Sequence, residues 1–139
     1  MKRIEYFELL AKTFEFKTII DDYGNEFVLL KENCVDSFKK IEDKTEFEAS
    51  ENHIHLLDNI NKNEFEILKK IAPILGQAVL HSLTSQYAQK HFRVYVSIHL
   101  YDSMIIRFHQ KWDNEEFYCN PDEFTSSKEK VYAFENNKA

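Results

Sequence analysis

Six histidines, seven tyrosines and 24 carboxylate side chains in 139 residues could supply acid–base, metal-binding or anion-binding chemistry. His53-Ile54-His55 would stand two imidazoles on one face of a strand, with Asp58 or Glu46 as further ligands. A metal site needs three or four convergent ligands, and no spacing here fixes the rest. The plainer reading is two half-exposed histidines on a sheet, and no metal or cofactor is expected. Richer chemistry lies in the alternating runs after residue 90. Tyr95, His109 and Tyr118 would align across three neighbouring strands, with Ser97, His99, Arg107, Lys111 and Glu116 around them. A histidine so flanked could act as a general base or bind a phosphate. The same residues also fit a solvated sheet face, or one covered by another chain, because no spacing specifies a nucleophile with its base and orienting group.

Several chemistries are excluded. With two glycines in the chain, and no G-x-G-x-x-G, Walker, H-E-x-x-H or G-x-S-x-G pattern, a nucleotide-cradling loop is not available. A net charge of -6 argues against a nucleic-acid binder that relies on bulk positive charge. That total hides segregation, with residues 1–66 near -7, 67–111 near +5 and 112–139 near -4. Acidic side chains crowd at Glu42, Asp43, Glu46, Glu48 and Glu51, and again at Asp113, Glu115 and Glu116 beside Trp112 and Tyr118. Such faces serve solubility, and they also steer basic partners at high association rates. Cys34 and Cys119 lack metal-type or redox-type spacing and read as reduced, buried thiols. The expected location is the cytoplasm, since no signal-peptide core and no apolar run of membrane-spanning length occurs.

The elements that must position these residues follow from periodicity. Ile4, Phe7, Leu10, Ala11 and Phe14 predict an amphipathic helix over residues 2–15. Residues 17–21 and 26–31 predict two strands around a turn at Gly24-Asn25, while residues 34–41 fit a short helix or a strand. Residues 45–50 alternate and predict a strand, with 53–57 returning beside it. A long helix is expected from an N-cap at Asn63 to about Tyr87, broken near residues 69–73 by Pro73, with Gly76 allowing a close approach to the sheet. Phe92, Val94, Val96, Ile98 and Leu100, then Met104, Ile106, Phe108 and Trp112, mark two half-buried strands; Gln110 is the polar exception in that column. A loop at residues 101–103 would pair Leu100 with Met104 and Val96 with Phe108. A second, tight loop at Asp113-Asn114 would pair Phe108 with Cys119, giving a three-stranded meander. A last short strand is expected at residues 130–134.

The resulting expectation is a single α+β domain over residues 1–139: a mostly antiparallel sheet, a long broken helix on one face, and an N-terminal helix. In size, acidity, single-domain build and lack of a catalytic signature, the chain resembles the small cytoplasmic immunity proteins of bacterial toxin–immunity systems, including those of contact-dependent growth inhibition. The stretches that carry the resemblance are Glu42 to Glu51 and Lys111 to Tyr118. It implies a non-catalytic protein that occludes a basic partner, often a nuclease-type toxin domain, at or near its active site. It assigns no individual residue a role. The other reading is a small enzyme or ligand-binding domain that uses Tyr95, His99, Arg107 and His109.

Overall fold

The computed structural model describes residues 14–33 and 41–136, which form an α+β fold. In chain order come β1 (Phe16–Ile20), β2 (Glu26–Leu30), α1 (Lys44–Glu51), β3 (His53–Asp58), α2 (Lys62–Gln86), β4 (Phe92–His99), β5 (Ser103–Gln110), a 3-10 turn (Pro121–Glu123) and β6 (Glu129–Glu135). β1 and β2 form an antiparallel hairpin, and the other strands form one sheet in the order β3-β5-β4-β6. All its neighbours are antiparallel, so β3 and β4 run parallel to each other and α2 makes the crossover between them.

The hairpin closes on Asp21, whose carboxylate accepts from the amides of Tyr23 and Asn25 (both 2.9 Å) while Gly24 takes φ +82°. Burial works to raise this carboxyl, but the bonds from Asn25 and Tyr23 outweigh it and hold it below its ordinary value.

One core unites hairpin, sheet and helix. The α2 stripe Phe65, Leu68, Ala72, Leu75, Val79 and Leu83 packs on Phe92, Val94, Val96 and Ile98 of β4 and Met104, Ile106 and Phe108 of β5. Phe16 joins edge-on to Phe108 at 5.4 Å. Gly76 makes the close approach expected of it, for a Cβ there would lie 2.5 Å from the Phe134 ring and 3.2 Å from Val96. α2 starts two residues earlier than expected, on a capping box between Asn61 and Glu64. It also runs unbroken through Pro73. Proline supplies no N–H to the Lys69 carbonyl, and the Tyr132 hydroxyl of β6 donates to that oxygen instead, at 3.2 Å. A sheet side chain thus replaces the missing helical bond.

Three further expectations are corrected. Residues 45–50 are helical, because Asp43 caps Glu46 and the inward set Thr45, Glu48, Ala49 and Asn52 has helical spacing. The β4–β5 register is Ile98 with Met104, Val96 with Ile106 and Val94 with Phe108, two residues from the expected pairing. An even shift leaves every side chain on its expected face. The third meander strand is absent, since β5 lies between β4 and β3 and has no free edge for it. Residues 112–124 cross the sheet's second face instead, and β6 pairs with the outer edge of β4. The helix expected over 2–15 lies outside the described residues except for Phe14 and Glu15, which are irregular, and so does nearly all of 34–41. No helix among the described residues is long and apolar enough to cross a membrane.

Candidate functional site

The two acidic stretches, some 70 positions apart in sequence, meet at the start of α1. Glu115 accepts from the Thr45 amide (2.7 Å), the Thr45 hydroxyl (2.6 Å) and the Lys44 amide (3.2 Å), and it pairs with Lys44 Nζ at 3.3 Å. These amides are orphan donors of the first helical turn, where negative charge is favoured. Burial pushes the Glu115 carboxyl up, yet the Thr45 and Lys44 bonds prevail and hold it below its ordinary value. Around this clasp lies a depression of about 380 Å³ in which Asp43, Glu46, Glu115 and Glu116 converge, with Phe117 and Tyr118 at its side. Asp43, Glu46 and Glu116 are exposed, as are Glu42 and Asp113 nearby in sequence. Glu51 is half-buried and accepts from Asn33 Nδ2 at 2.8 Å.

Glu48, expected on that surface, is instead fully buried. One oxygen accepts from the Gln110 amide and Trp112 Nε1, both at 2.8 Å. The other accepts from the Val28 amide (3.0 Å) and Gln110 Nε2 (2.8 Å). Four N–H donors surround a carboxylate that has no paired cation among the described residues. Burial pushes its pKa up to about 7, against the pull of those bonds. Asn52, one helical turn later, donates to the Val28 carbonyl (2.8 Å) and accepts from the Leu30 amide (3.0 Å). Glu48 and Asn52 together satisfy polar groups along the edge of β2 that faces away from β1. Trp112 is therefore a structural anchor, half-buried against Phe27 at 5.1 Å.

The second sheet face is not the wet surface expected. His109 is 0% exposed and Tyr95 3%. The hydrogen bonds admit one proton arrangement. His109 Nδ1 faces the Gln110 carbonyl at 2.8 Å and so carries the proton. Nε2 faces the Tyr118 amide at 3.3 Å and so accepts, and the Tyr95 hydroxyl donates to it at 3.0 Å. The Tyr95 oxygen in turn accepts from Arg93 Nε (3.1 Å) and the Cys119 amide (3.4 Å). Burial drives His109 down to about 4 and raises the Tyr95 phenol and the Cys119 thiol. Tyr95 and His109 are thus engaged in tying residues 118 and 119 to the sheet. Arg93 adds to this, stacked on Phe117 at 4.1 Å and paired with Glu135 at 2.9 Å.

Farther along the same face, Arg107 donates to the Tyr118 hydroxyl and lies over its ring at 4.6 Å. His99 is exposed, 3.9 Å from Asp102 and 3.7 Å from Glu129. His53 and His55 do share a strand face, with rings 5.9 Å apart, and His55 lies 3.8 Å from Asp58. Among the described residues, no three His, Cys, Asp or Glu side chains converge as a metal would require.

Sequence reasoning missed Thr45, Asn52 and the inward role of Glu48. Gln110 was the available signal, for an amide in an apolar column needs a buried polar partner. Compared with known proteins, the chain matches no family model, no curated protein and no solved structure.

Proposed function

We propose that this chain is a single-domain, non-catalytic binding protein of the cytoplasm whose acidic surface neutralises a basic protein. The reading it fits best is an immunity protein that blocks a cognate bacterial toxin domain, possessing no chemistry of its own. One observation carries the proposal: Asp43 and Glu46 from one stretch and Glu116 from another are gathered into a single exposed depression. The Glu115 clasp holds them there, so the charge is preorganised before a partner arrives. Like charges held together cost stability, which favours a role for the patch beyond solubility. The burial of His109 supports a non-catalytic reading, because an imidazole with no exposed surface cannot reach a substrate as a general base. Partner contact is assigned to Glu42, Asp43, Glu46, Asp113 and Glu116, with Tyr118 at the margin. Glu48, Glu115 and Trp112 hold the surface in shape from behind.

The test is affinity capture from the native cell with the wild-type chain and the Glu46→Lys/Glu116→Lys double variant side by side. The expected outcome is a basic protein retained by the wild type, released by added salt and absent from the double variant. Retention of no basic protein, or equal retention by both chains, would count against the proposal.

A further inference from the structure

The second sheet face carries a groove that the acidic-surface reading does not use. It has a volume of about 340 Å³, within the range of small-molecule sites, and runs along β4 and β5 from Arg107 to Ser103. Its walls are mostly apolar, formed by Ile105, Val131 and Phe124, with the Ser97 hydroxyl among them. Phe124 stands 36% exposed at its edge, so its ring is open to a molecule in the groove.

The charges at the two ends differ. Arg107 is half-buried and its contacts are the hydroxyl and ring of Tyr118. Among the described residues, no carboxylate pairs with it, whereas Arg93 on the same face is paired with Glu135. A guanidinium has five N–H donors in a planar fork that matches a carboxylate, and Tyr118 takes only part of that fork. Four residues along β5, or roughly 13 Å away, the far end is acidic, with Asp102 and Glu129 flanking His99. One end thus offers a cation with no carboxylate pair among the described residues, the middle offers apolar wall, and the far end repels a second negative charge.

We propose that this groove binds a small organic monocarboxylate, its carboxylate on the Arg107 fork and its apolar body between Ile105, Val131 and Phe124. The site adjoins the acidic surface at Tyr118, which lines both, but it uses none of that surface's carboxylates and requires no turnover. Its ligand class follows from charge complementarity at one end and exclusion at the other.

The test is an NMR titration of the nitrogen-15-labelled full chain with benzoate, benzamide and terephthalate as probes. Benzoate is expected to shift the Ser97, Ile105 and Val131 amides saturably, with a Kd on the order of 1 mM for so small a ligand. Benzamide, which has the same body without the charge, should leave them unmoved. Terephthalate, with a second carboxylate, should bind about tenfold more weakly than benzoate. Arg107→Gln should weaken benzoate binding about tenfold or more. Phe124→Ser leaves the Arg107–Tyr118 contact in place and should weaken it several-fold. Equal shifts by benzoate and benzamide, no saturable shift at the groove, or undiminished binding by either variant would overturn the assignment.

Discussion

Two buried polar junctions hold residues 111–119 to the rest of the molecule, and they solve the same problem with opposite charge logic. At one end, Glu48 is an acceptor among four N–H donors and gathers β2, β5 and Trp112. At the other, His109 stays neutral, donating through one nitrogen and accepting through the other, and gathers Tyr95 and Tyr118. The first is satisfied when it carries charge, the second when it carries none. Burial opposes the charged form of both, raising Glu48 to about 7 and lowering His109 to about 4. Between them they fix the segment that bears Glu115 and Glu116, so the shape of the acidic surface depends on groups that lie beneath it.

The largest expected effect comes from emptying the anionic junction. Glu48→Ala leaves four buried N–H groups without an acceptor and should cost about 3–5 kcal/mol in denaturant unfolding. A loss under about 1 kcal/mol would mean that water or a rearranged Gln110 replaces the carboxylate.

The pH dependence separates the junctions next. Folded Glu48 binds its proton more tightly than the unfolded chain does, so its contribution to stability falls as pH rises from about 4.5 to about 7. Folded His109 binds its proton less tightly, so its contribution is lost as pH falls from about 6.5 to about 4. Each term amounts to about 3 kcal/mol across its window. Over the shared range the slopes oppose, and the two terms nearly cancel in the wild type. Glu48→Gln should unmask a stability that climbs with pH between 4 and 6.5, and His109→Gln one that declines between 4.5 and 7. Chemical unfolding at half-unit pH steps reads both, and identical profiles for the two variants would break the comparison.

The smallest effect concerns the sheet-to-helix bond at Pro73. Tyr132→Phe strips the Lys69 carbonyl of its donor and should cost about 1 kcal/mol. In a Pro73→Ala background the helix supplies that donor itself, so the same change should then cost little. A double-mutant cycle without coupling would contradict the assignment.

What the chain reveals before folding divides along the same lines. The strands of the sheet were legible because the even positions from Phe92 to Ile98 and from Met104 to Phe108 are all apolar, and a two-residue register error does not alter a face. The helix α2, its stripe and the close approach at Gly76 were legible for similar local reasons. Its continuity was not, since the bond that carries it past Pro73 comes from Tyr132, 63 positions away. Nor was α1, because hydrophobic patterning counts Glu48 as a surface residue when it is a buried one. The acidic clusters were legible as composition. Their meeting was not, for it depends on β3 occupying the edge of β5 and sending residues 112–124 across the opposite face.

The most direct test of the acidic surface is kinetic. Association of the captured basic partner with the wild type and with Glu46→Lys/Glu116→Lys should be followed at low and at physiological ionic strength. Steering by a preorganised patch predicts a wild-type rate constant that falls steeply with salt, and a double variant that associates at least about tenfold more slowly at low salt with a flattened dependence. The variant should remain folded and unfold cooperatively, since neither residue enters the Glu48 or His109 junction. Equal rates and equal salt dependence for the two proteins would contradict the account.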